Sequence, residues 1–157
     1  MRKRMITPGQ AEAVRPDQGW LNLDTLAQVE VTSEDAEHPI ESALVPDSDS
    51  GWRAASPGKQ TIRLIFDQPQ QLKRVRLVFE ERERERTQEF LLRWSPDGGK
   101  SYQEIVRQQW NFSPTGTVKE VEDYGVELSA VTVLELIIDP DKSGGESRAS
   151  LEQLRLA

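Results

Sequence analysis

No cysteine occurs anywhere in this chain. That excludes disulfides, a thiolate nucleophile and every cysteine-ligated zinc or iron–sulfur centre. Histidine is almost as scarce, since His38 is the only one. Basic residues are outnumbered, 20 against 27 acidic ones, for a formal net charge of -7. Such a balance works against a non-specific grip on nucleic-acid phosphates or anionic lipids, although it leaves room for a local basic patch. No stretch approaches the roughly 18 uninterrupted apolar residues that a membrane span needs. The start, Met1-Arg2-Lys3-Arg4, has the basic flank of a secretory signal, but Gln10, Glu12, Arg15 and Asp17 interrupt the next stretch. The expected compartment is the cytoplasm.

The residues that are present fit one turn-rich domain. The 157 residues match the size of a single domain with a sizeable core. Residues 1–19 are polar and unpatterned and are expected to form a flexible or strapping tail; residues 20–157 form the domain. Short apolar/polar alternations separated by turn residues predict strands at Leu26 to Thr32, Thr61 to Asp67, Leu72 to Glu80 and Glu89 to Trp94. Gln68-Pro69 is expected to end the second of these. Ser95-Pro96-Asp97-Gly98-Gly99-Lys100 reads as a hairpin turn, because Pro fixes φ, Asp caps locally and Gly permits positive φ. Ser101 to Trp110 returns as its partner strand. Thr117 to Val121 and Tyr124 to Leu128 are weaker strands, Val131 to Asp139 is the most apolar one, and Leu151 to Ala157 closes the chain. A single helical turn is expected near His38 to Leu44. This rhythm predicts an all-β sandwich or jelly roll of antiparallel strands, without βαβ units.

Several motifs carry less chemistry than they suggest. Gly98-Gly99-Lys100-Ser101 ends like a phosphate-binding loop, but Trp94 stands where the motif needs Gly, and a strand comes after it instead of a helix. Asp139 to Gly144 begins like a calcium-binding EF-hand loop, yet Ser150 occupies the place of the bidentate Glu. His38 lacks a Gly-x-Ser-x-Gly elbow to act upon. Nothing nominates a pair of carboxylates for glycoside hydrolysis. The sequence therefore argues against an enzyme.

The run Glu80-Glu81-Arg82-Glu83-Arg84-Glu85-Arg86, if extended, places Arg82, Arg84 and Arg86 on one face, where they could grip a carboxylate, a phosphate or sugar hydroxyls. The favoured reading is a solvated hairpin end whose charges discourage edge pairing. Of the four tryptophans, Trp94 lies in phase with Phe90 and Leu92 and belongs to the core, while Trp52 is core or rim. Trp110, ending a strand before Asn111-Phe112-Ser113-Pro114, is the best candidate for an exposed stacking platform.

Taken together, His38-Pro39-Ile40-Glu41-Ser42-Ala43, Ser50-Gly51-Trp52-Arg53-Ala54, Gln60 to Phe66, Ser95 to Tyr102, Leu134 to Ile138 and Ala149 to Leu154 resemble the discoidin domain, the coagulation factor V/VIII type C or galactose-binding-like family. The resemblance implies a jelly-roll sandwich of about eight antiparallel strands with its ends close together. Ligand recognition would fall to loops at one end, without catalysis. Many members hold a structural calcium near the loop before the tryptophan. Asp47 and Ser50 match that loop's acidic and hydroxyl positions, but Val45-Pro46 replaces the usual Asp-Gly and Gln153 replaces a Glu, so the implied site is a weak one. By position, Arg53 and Trp110 are the nearest ligand contacts, with His38 and Arg84 as secondary ones. The preferred reading is a module for a carbohydrate or similar small polar ligand. The alternative is an intracellular protein-interaction scaffold that uses the arginine run or the 1–19 tail.

Overall fold

A computed structural model describes residues 19–46 and 50–157. The expected tail falls, apart from Gly19, outside the described residues, as does Asp47. Among the described residues no helix is long and apolar enough to cross a membrane.

Alternation sets the architecture. In β1 (Ala27–Val31) and the opening of β3 (Gln60–Glu80), every second residue turns inward, burying Ile62, Leu64 and Phe66 on one side. The sheet runs β1–β3–β6–β4–β5, with β4 spanning Arg86–Ser95, β5 Gln103–Phe112 and β6 Lys119–Asp139. All its pairings are antiparallel. β8 (Gln153–Leu156) pairs with the later half of β3, and β2 (Trp52–Arg53) pairs with β7 (Ser150–Leu151). Among the described residues, eight strands make the expected all-β sandwich.

The two longest strands serve both layers. Gln68-Pro69 does not end a strand, contrary to expectation, because β3 continues through it as one element. The register shifts between Ile65 and Gln70, again before Leu72, and again before Arg74. Proline has no N–H to give a ladder and settles at such irregularities. The slips also change the buried set from Ile62, Leu64 and Phe66 to Val75, Leu77 and Phe79, as an odd-numbered shift must. β6 likewise fuses the three segments read separately between Thr117 and Asp139. Its first half pairs with late β3 in one layer, and its second half lies between early β3 and β4 in the other. The layers meet where the Phe79 and Phe90 rings stack 5.2 Å apart. Each such fully buried side chain stabilises the fold by about 1.5–3 kcal/mol.

Smaller elements obey local chemistry. The β4–β5 turn is built around Asp97, which accepts from the Ser101 backbone N–H at 2.9 Å and from the Ser95 and Ser101 hydroxyls, both at 2.6 Å. Those bonds hold its carboxyl down at about 2, while Gly98 and Gly99 take positive φ. α1 (Leu23–Leu26) is one turn that the sequence pattern did not announce; α2 (Glu41–Leu44) is the single turn expected. The Leu21 N–H donates to the Leu156 carbonyl at 2.7 Å, so the described start of the domain lies beside its end. The terminal segment Leu151 to Ala157 breaks at Glu152 into β7 and β8.

Candidate binding site

One end of the sandwich gathers three loops: residues 32–40 after β1, 81–85 between β3 and β4, and 140–149 between β6 and β7. Each is fastened to the sheets by a buried group. Trp52 is 1% exposed and its Nε1 donates to the Ser33 carbonyl at 3.0 Å, pinning the first loop. Gly51 lets that strand pass close to its neighbour, for a Cβ there would come within 2.7 Å of the Glu152 Cα. Arg86 is 4% exposed and donates to the Pro140 carbonyl at 2.6 Å. It also lies 3.4 Å from Glu81 and over the Phe112 ring at 5.2 Å, tying the other two loops together. Its burial, before any other influence, pulls its pKa below the usual guanidinium value.

Between these loops lies a cleft of about 390 Å³. Arg53 stands at its base on β2, and backbone bonds fix that strand: the Arg53 N–H donates to the His38 carbonyl at 3.1 Å, and the Asp35 N–H donates to the Arg53 carbonyl at 2.8 Å. His38, Arg84 and Arg148 complete the basic lining; Asp35, Glu81, Glu83 and Glu146 interleave with it. Among the described residues, the guanidiniums of Arg53, Arg84 and Arg148 make no hydrogen bond or ion pair. A second hollow of about 280 Å³ adjoins the first, since both share His38, Arg53 and Glu81; it extends along Ser50, Gly51 and Glu152. Burial, and secondarily the neighbouring Glu80, raises the Glu152 carboxyl above the ordinary range. The result is a two-lobed polar groove offering charged donors and acceptors side by side.

Three of the four ligand contacts read from the sequence, Arg53, His38 and Arg84, therefore share one cleft. Trp110 does not join them. It faces Gln88 across the β4–β5 ladder, is half-buried against the core, and its Nε1 is buried without a partner among the described residues. The expected exposed platform is thus an inter-layer residue, because alternation on β5 turns Trp110 to the same side as the fully buried Phe112. The arginine ladder also dissolves. Residues 81–85 leave the strands and bend, so Arg82 pairs with Glu80, Arg84 reaches the cleft and Arg86 goes inward. Ser50 lies on the rim and Gln153 on β8 beside Val78. Asp35, Glu146 and Arg148 were not singled out in the sequence. Only the Gly144-Gly145 turn, both glycines at positive φ, hinted that the 140–149 loop folds back.

A second polar cluster lies between the layers. The Gln88 Nε2 donates to Glu120 across the sandwich at 3.4 Å, and Tyr124 donates to Glu122 at 3.0 Å. Glu120 is completely buried; burial and then the adjacent Glu122 push its carboxyl up to about 8.

A family model, the F5/8 type C domain, matches residues 28–148. Among curated proteins, none matches the chain in sequence. Solved structures share the fold at low identity. A pectin-binding carbohydrate-binding module matches at TM-score 0.61 and 17% identity, over 84% of this chain and 90% of its own. A Clostridium perfringens module solved in complex with GalNAc-β-1,3-galactose matches at TM-score 0.63 and 15% identity, over 88% of this chain and 99% of its own. Reduced XRCC1, bound to the DNA polymerase β catalytic domain, matches at TM-score 0.60 and 17% identity, over 84% of this chain and 95% of its own.

Proposed function

This chain belongs to the F5/8 type C domain family, and from that premise we propose that it is a non-catalytic module that binds a carbohydrate in the two-lobed groove at its rim. The observation that carries the reading is the set of three guanidiniums, Arg53, Arg84 and Arg148, that line the cleft without an internal partner among the described residues, interleaved with carboxylates. Vicinal sugar hydroxyls each donate and accept, and charged groups of both signs at close spacing are their natural complement. Solved neighbours of the same fold include a pectin-binding module and one holding GalNAc-β-1,3-galactose, which supports the ligand class. Recognition here rests on hydrogen bonds, since the rim tryptophan, Trp52, is buried as a structural pin.

Isothermal titration against GalNAc-β-1,3-galactose and pectin oligosaccharides tests this. Binding to either, weakened about tenfold or more by Arg53→Ala, is the expected result, because one charge-assisted hydrogen bond contributes about 1.5–3 kcal/mol. Heat of binding that Arg53→Ala and Arg84→Ala leave untouched would place the ligand elsewhere. A protein ligand is the second reading, favoured by the neighbour that is bound to a polymerase domain. It predicts no response to a glycan panel and a stoichiometric protein complex broken by the same substitutions.

A further inference from the structure

Alternation along β8 turns Leu154 and Leu156 into the core and leaves Arg155 on the opposite side, across the ladder from Arg76 and beneath α2. There Arg155 is only 5% exposed. Its Nη1 donates to the Ala43 carbonyl at 2.7 Å and to the Leu154 carbonyl at 2.9 Å, and its Nη2 donates to the Val45 carbonyl at 3.1 Å. Among the described residues no carboxylate pairs with it. The charge that acts on it is another cation, Arg76, which is itself engaged by Asp123 at 3.2 Å. A guanidinium buried this far must satisfy its N–H groups. It does so on the carbonyls at the closing end of a helical turn, which lack partners of their own and carry partial negative charge.

Calcium, which the family resemblance implies for this loop, asks for six to eight oxygen ligands, several of them charged. The described residues do not fit it. No group of three acidic or histidine side chains able to hold a metal occurs among them. Ser50 and Gln153 are neutral, and the carbonyls of Ala43 and Val45 already accept from a cation. A divalent ion brought to the same oxygens would meet the Arg155 charge, with Arg76 behind it.

We propose that the Arg155 guanidinium is the resident cation at the closing end of α2, engaging the Ala43 and Val45 carbonyls where the family resemblance implies a calcium ion nearby, so that this end of the fold keeps its shape without calcium.

Thermal unfolding of the wild type, Arg155→Lys and Arg155→Met, each in EDTA and in millimolar calcium chloride, tests the proposal, together with calorimetric titration of calcium into the wild type. The wild-type midpoint is expected to agree between the two buffers within about one degree, and the titration to show no binding. Arg155→Met is expected to lower the midpoint by about 5–10 °C. Arg155→Lys is expected to recover less than half of that, because Arg155 reaches three carbonyls from two nitrogens held in a rigid planar fork, whereas Lys brings a single nitrogen on a flexible stem. Saturable calcium binding that raises the wild-type midpoint would overturn the proposal, as would an Arg155→Met protein as stable as the wild type. Should Arg155→Met not fold, the wild-type titration and Arg155→Lys decide the question alone.

Discussion

The arginines on the sheets and those in the rim cleft carry the same charge and live in opposite circumstances. On the outer face of the larger layer, Arg63 and Arg93 close on Glu135, their Nε atoms donating to its two oxygens at 2.8 and 2.6 Å, while the carboxylate itself is 1% exposed. Arg63 also reaches Glu30 at 2.8 Å, and Arg93 lies 4.1 Å over the Tyr102 ring. Arg74 holds Asp123 in a two-pronged bond, and Arg107 is divided between Glu89 and Glu104. In the cleft, Arg53, Arg84 and Arg148 have carboxylates around them but make no bond to any described one. The difference teaches where to look for a ligand. A guanidinium whose N–H groups are spent inside the protein contributes to stability, and one whose N–H groups are kept free is available to a second molecule.

Substitutions that sharpen this contrast can be ranked by the loss of stability expected. Arg86→Ala should cost about 3 kcal/mol, measured by urea unfolding, because it strands Glu81 in a buried place and frees the Pro140 carbonyl. Glu135→Ala should cost about 2 kcal/mol, less than a fully buried pair, since Arg63 and Arg93 can both turn to water. Arg53→Ala, Arg84→Ala and Arg148→Ala should each stay within about 0.5 kcal/mol of the wild type while affecting titrations with sugar. A rim substitution as costly as Glu135→Ala would erase the distinction between the two groups.

The inter-layer cluster gives the comparison a pH axis. Glu120 has a folded-state pKa raised to about 8, so its proton is held in the folded chain after the unfolded chain has lost it. The stability contributed by the neutral acid is complete below the ordinary glutamate range and disappears as the pH rises through about 8. Thermal midpoints should therefore fall between about pH 5 and pH 9, and Glu120→Gln, which is neutral at every pH, should flatten that fall. Equal slopes in the two proteins would show that Glu120 is not a buried neutral acid.

Most of the fold was legible because period-two alternation survives in β1, early β3, β4 and late β6, and Ser95 to Lys100 holds every residue that its turn requires. Strand boundaries were less legible. Gln68-Pro69 has the composition of a terminator, and only the pairing partners Val131 and Leu128 carry β3 across it as an irregularity. The site was legible in part. Arg53 comes directly after the loop tryptophan and Arg84 sits in a conspicuous charge run, but which arginine of that run faces outward depends on a bend at 81–85 that alternating charges conceal. Trp110 was read as exposed from the polar loop after it, whereas its exposure is set by the phase of β5. Arg148 and Glu146 owe their place to a loop folding back from the far end of the chain, of which Gly144-Gly145 is the one local sign.

The most direct test is a two-dimensional amide NMR titration of the isotopically labelled protein with GalNAc-β-1,3-galactose and pectin oligosaccharides. The account predicts shifts concentrated at residues 35–38, 50–53, 81–84 and 146–148, with the Glu135 face and residues 106–110 unmoved. Shifts centred on Trp110, or on the Arg63–Glu135–Arg93 face, would contradict it.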